Sequence, residues 1–461
     1  FGKNMWAIEQ GDDIILADMG LQMPGADQPG LDFIVPNATY LREKASQIRG
    51  LFLTNGHYSS IGAVPYILHL FPGIDIFATE ATFATLESRR SFYSQNMKYR
   101  KHIVDEGSSI RLGSIKVDVF KLNFNFAGNI GLCFYTLQGK VIYAPSFKFD
   151  YDQANEKMVD LGHIASLTEG GVFALLVGAT GAEAEGYAPS EASVGRDIDK
   201  IIGNAKGRVF FSTFSSMLTR MQQIVDAVEK HDKKLYIEGK SILNTFNTSR
   251  KRGLIRLNRG TIVGPDQINK IPRDKTVIIC VGAQGDDVPQ LMRIVNKEHP
   301  MFRIEEGDGV AFASSLIPGN ERSVQKVKDN LAKQGAIIHH LKYLDIFYGA
   351  NARTEDLKVL LSIVRPQYVI PVNGPHYLLR GVANIADMVG FPEKNVIVTK
   401  NGFVQVFDHK QRIRTKEKVV AHPVMVDGLG VGDLKDVVIR DRQVMSDDGI
   451  FNIIILIDKS G

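Results

Sequence analysis

This 461-residue chain has few cysteine and tryptophan residues and no long apolar run. Its two cysteines, Cys133 and Cys280, cannot build a disulfide framework, so we expect a reducing, cytoplasmic environment. No apolar run approaches the roughly 20 residues of a membrane-spanning helix. The 55 basic and 51 acidic residues leave a net charge of +4, too small to indicate nucleic acid binding by itself. The composition excludes membrane, fibrous, disordered and disulfide-rich secreted proteins.

Short apolar strands joined by turns fill the first 150 residues, and a longer strand–helix alternation follows from about residue 190. The first part predicts a sheet-rich layer with helices packed outside it. The alternation predicts a parallel sheet, because apolar residues between Met217 and Glu229 recur at helical spacing between two strands. From about Ile346 the sequence pattern again resembles that of the first part. This order predicts an α/β fold in which a smaller domain is inserted into a larger sheet-based one.

The loop after the strand predicted at Gly50–Thr54 is the most informative stretch for function. It reads Asn55-Gly-His-Tyr-Ser-Ser60, and a helix is expected to open at Gly62. Metallohydrolases place ligands in such strand-to-helix loops, and a dinuclear zinc site needs roughly three protein ligands per metal. This loop offers one strong ligand, His57. The other interpretation is that His57 is a hydrogen-bonded loop residue.

Together with segments elsewhere, this loop resembles the His-x-His-x-Asp-His motif of metallo-β-lactamase-fold hydrolases. The chain as a whole resembles ribonuclease J, of their β-CASP branch. The matching segments are Gly2–Met5, Ile14–Gly20, Asp32–Asn37, Phe147–Asp150, Thr213–Ser216, Gln222–Ile224, Gly282–Gly285, Ile317–Glu321, Ile370–Val372 and Asp427–Asp433.

The resemblance implies a metallo-β-lactamase αββα sandwich with an inserted β-CASP α/β domain, a parallel sheet with flanking helices. We expect the sandwich in residues 1–194 and 346–461 and the inserted domain in residues 195–345. The chain opens without methionine, so we expect it to begin inside a longer protein. A linker to the family's C-terminal domain is expected to start near residue 461.

Most of the metal ligands that the resemblance implies are replaced in this chain. The family's seven ligand positions fall on Asn55, His57, Ser59, Ser60, Phe124, Ser146 and Asn373, and six of the seven are lost. An acid expected after the strand at 173–177 falls on Gly178, and a later histidine falls on Asn351. The family uses two zinc or manganese ions, whose binding needs several deprotonated ligands. We therefore expect no bound metal, no other cofactor and no metal-activated water.

Two other histidine groups leave little room for a replacement metal site. His339 and His340 alternate on a predicted strand, so their side chains face opposite sides and cannot chelate together. His376 could approach the old site and join His57. Two ligands remain below the usual requirement.

With the metal ligands replaced, RNA binding is the function that the resemblance still implies. The family grips single-stranded RNA between its two domains and holds a 5′ phosphate in loops of the inserted domain. This implies a phosphate site at Thr213, Ser215 and Ser216, with Asn351 near the RNA. Ser215 or Ser216 could equally cap the helix that follows, and both interpretations stay open.

Basic and aromatic side chains offer further candidate RNA contacts. The basic clusters lie at residues 98–101, at 250–252 with Arg256 and Arg259, and at 410–418; each either attracts phosphate or is a solvated surface. The candidates for base stacking are Phe124, Phe126, Tyr187 and Tyr348. For Phe124 we favour a different role, filling the vacated metal cavity.

We interpret the chain as a ribonuclease J-like subunit of an RNA processing or mRNA decay complex. It is expected to be a pseudoenzyme, inactive or nearly so, that binds single-stranded and 5′-monophosphorylated RNA. The resemblance implies a hetero-oligomer with an active ribonuclease J homologue, and a homodimer is a second assembly to test. One alternative is a metal-dependent 5′–3′ exo- and endoribonuclease with a metal site rebuilt on His57 and His376. The other is a stand-alone protein that binds RNA 5′ phosphates.

Overall fold

The computed structural model describes most of the chain. The described residues are 2–25, 28, 30–88, 97–152, 158–282, 290–313, 321–339, 351–413, 415–427, 430–431, 438, 441–442 and 444–445.

Two sheets face each other in the larger part of the protein. In spatial order the first sheet contains β1 (Trp6–Gln10), β2 (Asp13–Ala17), β4 (Ile48–Leu53), β5 (Ile74–Ala78) and β6 (Tyr99–Ile103). The second contains β17 (Tyr368–Val372), β11 (Val172–Gly178), β10 (Gly139–Ala144), β9 (Ile130–Thr136), β8 (Ile115–Lys121) and β7 (Ser109–Leu112). Strand β3 (Phe33–Val35) pairs with β20 (Val424–Asp427), which also pairs with β21 (Gly430–Val431), and β18 (Val406–Asp408) pairs with β19 (Gln411–Ile413).

Helices cover the outer face of each of these sheets. The first sheet is covered by α1 (Thr39–Glu43), α2 (Tyr58–Ile61), α3 (Val64–Ile67) and α4 (Glu80–Ser88), and the second by α5 (Leu161–Leu167), α12 (Thr354–Val364) and α13 (His376–Met388). Because alternate residues of a strand face opposite sides, Ile14 and Leu16 pack under the helices while Ile15 and Ala17 pack between the sheets. The predicted αββα sandwich is confirmed.

A third, all-parallel sheet forms the inserted part. Its spatial order is β13 (Lys234–Glu238), β14 (Thr276–Val281), β12 (Val209–Thr213), β15 (Gly309–Phe312) and β16 (Ile337–His339). One face carries α6 (Glu191–Asn204), α7 (Leu218–Lys230) and α8 (Lys240–Lys251), and the other carries α9 (Pro265–Ile268), α10 (Gln290–Val295) and α11 (Glu321–Lys333). The predicted parallel sheet with flanking helices is confirmed.

The segment that forms the third sheet is inserted in the chain between two neighbouring strands of the sandwich. Strands β11 and β17 pair in parallel, with Gly178 opposite Val372. Thr180, just after β11, and Asn373, just after β17, are nevertheless 193 positions apart in the sequence. Helix α6 already packs on the third sheet through Val194, Ile198 and Ile202. The predicted boundary at 195 falls within α6, and the boundary at 345 lies outside the described residues. Both domain boundaries stay predictions.

No helix in the described part of the chain is long and apolar enough to cross a membrane. Cys133 and Cys280 are buried and free.

Candidate functional site

The strand ends of the sandwich bring the predicted metal-site positions to one edge. Strands β10, β11 and β17 are parallel neighbours, so their carboxyl ends meet there. The end of β4 joins them, because the Ile130 amide donates to the Thr54 carbonyl over 3.0 Å. The positions at or just after these strand ends are Asn55, Ser146, Gly178 and Asn373.

Two buried asparagines cross-link this edge with neutral hydrogen bonds. The Asn55 amide nitrogen donates to Asn129 Oδ1 over 3.1 Å, and the Asn55 oxygen accepts from the backbone of His57 over 2.9 Å. Asn129 in turn donates to the carbonyls of Leu122 and Ser146. Both amides are almost wholly excluded from solvent. Asn55 therefore holds the loop in place, at the position where the resemblance implies a metal-binding histidine. Asn129 was not predicted, because only the folded chain brings it to Asn55.

His57 stabilises the start of α2. Its Nδ1 lies 2.7 Å from the Ser59 hydroxyl and accepts from the Ser59 amide over 3.4 Å, which makes His57 the N-cap of the helix. Its ring packs against Tyr58 and Phe126, with centroid distances of 4.1 and 4.7 Å. This arrangement matches the interpretation of His57 as a hydrogen-bonded loop residue.

A buried carboxyl group lies beneath the loop. Asp18 accepts hydrogen bonds from the Thr54 amide at 2.8 Å, from the Thr54 hydroxyl at 2.9 Å and from the Tyr143 hydroxyl at 2.9 Å. Burial raises the pKa of Asp18 to about 7, and the hydrogen bonds from Thr54 and Tyr143 oppose that rise. Asp18 ties β2, β4 and β10 together at the strand ends. Ser60, in the adjacent helix, is fully buried.

Phe124 packs in an aromatic cluster, not at a surface. It is 6% exposed and lies 5.5 Å from the ring of Phe126, which is 3% exposed. Both pack with Met217 and Phe214 of the inserted part. The two phenylalanines are therefore buried and not accessible for base stacking, whereas Tyr187 is 52% exposed. Tyr348 lies outside the described residues.

The backbone of Pro145 occupies the space beside Gly178. A Cβ atom at Gly178 would lie 2.1 Å from the Pro145 carbonyl oxygen, so no side chain fits there without a backbone shift. The same carbonyl accepts a hydrogen bond from the side-chain nitrogen of Asn373 over 3.0 Å. Asn373 has φ of +57°, and its own carbonyl accepts from the Thr180 hydroxyl over 2.7 Å. Neutral contacts link these strand ends.

Asn351 lies near the same edge and is partly buried. The amide of the next residue, Ala352, donates to the Phe147 carbonyl over 2.6 Å, which places Asn351 beside the segment that follows Ser146.

The predicted phosphate site is closed in this structure. Thr213 and Ser215 are fully buried, Ser216 is 4% exposed, and the Thr213 hydroxyl contacts the Met217 sulfur at 3.6 Å. Helix α7 begins at Leu218 with Met217 as its N-cap and no side-chain cap, so neither serine occupies the N-cap position. A role in phosphate binding stays a prediction for all three residues.

A buried ionic cluster joins this closed loop to the strand-end site. Lys148 lies 3.1 Å from Glu191 and 3.4 Å from Asp150, and Arg220 lies 2.8 Å from the other oxygen of Glu191. Burial tends to raise the pKa of Glu191, but Lys148 and Arg220 outweigh it and the net pKa is lowered. The cluster fixes the segment after Ser146 against α6 and α7.

Two predicted basic clusters meet at acidic side chains. Arg252 pairs with both Glu80 and Glu87 of α4, and Lys101 lies 3.4 Å from each of the same two carboxylates. Arg252 therefore connects α4 to the end of α8, and Lys101 connects α4 to β6. The cluster at 410–418 keeps exposed cations, with Lys418 over the ring of Phe403 at 4.5 Å.

The described residues contain no group of three or more His, Cys, Asp or Glu side chains that could bind one metal ion. His376 begins α13 and is exposed. His340 and residues 314–320 lie outside the described part.

The family model and the sequence relatives of this chain agree on one family. Residues 206–331 match the family model described as "Ribonuclease J, beta-CASP domain". The chain is 34% identical to Ribonuclease J2 of Bacillus subtilis, covering 99% of this chain and 82% of that protein. It is 32% identical to Ribonuclease J of Synechocystis, covering 100% and 72%. A crystal structure of an Enterococcus faecalis protein of unknown function is similar in fold, with a TM-score of 0.56, 14% identity and coverage of 80% and 91%.

Proposed function

Because this chain belongs to the ribonuclease J family, we propose that it binds single-stranded RNA without cleaving it, as a non-catalytic subunit that pairs with an active homologue. The single observation that carries the proposal is the chemistry of the seven ligand positions. Only His57 keeps a residue type that zinc selects, and its Nδ1 interacts with Ser59.

The other residues at the strand ends do not fit a pair of metal ions. Asn55 uses both ends of its amide in hydrogen bonds, and Phe124 places an apolar ring in a packed cluster. Neither residue supplies a deprotonated ligand, which metal binding of this kind needs. Without bound metal no water is brought to a pKa near ~7, so the nucleophile for phosphodiester hydrolysis is missing.

The sandwich and the inserted sheet nevertheless remain firmly joined. The ionic cluster around Glu191, the aromatic cluster around Phe124 and the Arg252 ion pairs all connect them. A fold kept intact around substituted ligands supports a role that depends on surfaces. Pairing with an active homologue would supply the missing catalysis, which is the arrangement that the family resemblance implies.

Parallel assays of RNA binding and RNA degradation test this proposal. The probe is 5′-monophosphorylated single-stranded RNA, incubated with the full chain in Mn²⁺ and in Zn²⁺. We expect binding that weakens as salt rises and no degradation above background. Metal-dependent degradation that is lost in His57→Ala or His376→Ala, but kept in the exposed control His69→Ala, would instead support a rebuilt metal site.

Co-purification tests the pairing. We expect the chain to co-purify with a ribonuclease J from the same organism whose loop reads His-x-His-x-Asp-His. Recovery of a homo-oligomer alone, with the intact homologue present, would contradict it. A preference for 5′-monophosphate over 5′-hydroxyl RNA that Ser215→Ala or Ser216→Ala abolishes would favour binding of RNA 5′ phosphates over a purely structural role.

A further inference from the structure

An arginine at the start of α12 has two buried donors without a partner. The Nε and Nη2 atoms of Arg353 are shielded from solvent and make no hydrogen bond in the described part of the chain. These atoms form the edge of the guanidinium group that grips two oxygens at once. Arg100 makes such a two-oxygen contact elsewhere in this protein: its Nε and Nη2 atoms lie 2.7 and 2.5 Å from the two carboxylate oxygens of Asp75. Because these donors are shielded in this structure, a two-oxygen anion has to displace the protein atoms that cover them. Once bound, it would satisfy donors whose lack of a partner costs free energy.

Asp356 brings three segments of the chain together around Arg353. Its buried carboxylate accepts hydrogen bonds from the backbone amides of Arg353 at 2.9 Å, Phe149 at 3.0 Å and Ala188 at 2.8 Å. The start of α12 also donates to the preceding loop, from the Thr354 amide to the Ala184 carbonyl at 3.1 Å. Residues 149–151, 184–188 and 353–356 therefore meet at one place, beside Asn351.

Two exposed tyrosines stand on these segments. Tyr151 follows Phe149 by two residues and is 57% exposed, and Tyr187 precedes Ala188 and is 52% exposed. Burial raises the pKa of Tyr151, and the neighbouring Tyr187 and Asp356 raise it further, in agreement with their proximity. Exposed aromatic rings stack on unpaired bases, because every base has a π face. Stacking rings beside a two-oxygen grip are suited to one nucleotide of a single strand.

The geometry points to a nucleotide subsite at the rim of the substituted metal centre, in which Arg353 holds a backbone phosphate of single-stranded RNA and Tyr151 and Tyr187 stack on a base. The inference rests on the proposed RNA binding and adds where one nucleotide is held. The guanidinium supplies positive charge to the phosphate at a site where the ligand positions no longer supply a metal.

Fluorescence anisotropy with labelled oligouridylate, and with an abasic oligomer of equal length, tests the subsite. We expect Arg353→Gln to weaken oligouridylate binding about tenfold or more, and to lower the slope of log affinity against log salt by about one. Arg353→Lys keeps the charge but lacks the planar fork, so it should recover only part of the affinity. Tyr151→Ala and Tyr187→Ala should each weaken oligouridylate binding about fivefold or more and leave abasic binding unchanged.

A matched variant separates the subsite from general effects. Arg111→Gln removes an exposed arginine of β7 and should change affinity less than Arg353→Gln. If the unmodified chain binds RNA and the Arg353 and tyrosine variants bind equally well, the subsite is wrong and the proposed function stands. If the unmodified chain binds no RNA, both are overturned.

Discussion

Glu191→Gln is expected to lower the free energy of unfolding by about 3–5 kcal/mol, since it breaks a buried ion pair and leaves its partners uncompensated. Two cations, Lys148 and Arg220, are balanced by two carboxylates, Asp150 and Glu191, and each of these residues is less than 5% exposed. Glutamine keeps the shape but removes one negative charge. Arg220 depends on this charge especially, because its Nε and Nη1 atoms have no partner in the described residues.

Urea denaturation, with binding measured on the folded variant, checks this expectation. The double variant Glu191→Leu with Arg220→Met removes both charges of the pair, so it should cost less than the sum of the two single variants. Glu43→Gln, which removes the same charge from an exposed residue of α1, provides a control away from the cluster. A cost below about 1 kcal/mol for Glu191→Gln would show that the cluster is solvated, contrary to the structure.

Gly178→Ala is expected to destabilise the protein by about 2–3 kcal/mol, because a new Cβ would meet backbone and not a flexible side chain. The built Cβ lies 2.1 Å from the Pro145 oxygen and 2.9 Å from its carbonyl carbon. One of the two strands must shift, although β10 and β11 are paired through Ala144 and Val177. An acid at this position would meet the same obstacle, so restoring the family's acid by one substitution should also fail.

Gly264→Ala is the matched control for this prediction. Gly264 has an ordinary φ of −83°, and a Cβ there would meet nothing within 4 Å. Its replacement should change the free energy of unfolding by less than about 0.5 kcal/mol. Equal stability of the two alanine variants would contradict the close approach of Pro145 to Gly178.

The sequence was sufficient for the fold class, because its apolar strands and scattered motifs are local features. The strand predicted at Gly50–Thr54 is present as β4, Ile48–Leu53, whose last four residues are buried. Edge strands β1 and β6 were not predicted, since polar residues interrupt them. The helix expected to open at Gly62 is instead divided: α2 begins earlier, at Tyr58, because His57 caps it, and α3 and a 3₁₀ turn follow.

The site was predictable only in its chemistry, not in its contacts. The family resemblance predicts which ligand types are replaced, because each position is read along the chain, and this assignment stays a prediction. Sequence reasoning did not find the Asn55–Asn129 pair, which joins residues 74 positions apart, or the convergence of Phe149, Ala188 and Arg353 on Asp356. The basic clusters at 98–101 and 250–252 also needed the folded chain, since Glu80 and Glu87 neutralise Lys101 and Arg252 there.

Metal content per chain tests the central claim most directly. The chain is purified in zinc and manganese without chelator and measured by elemental analysis, beside a ribonuclease J with an intact His-x-His-x-Asp-His loop. We expect essentially no bound metal in this chain, because His57 caps α2 and six ligand positions hold other residue types. Close to two equivalents per chain would contradict it, and the ligands would then have to be sought among the residues assigned here to structural roles.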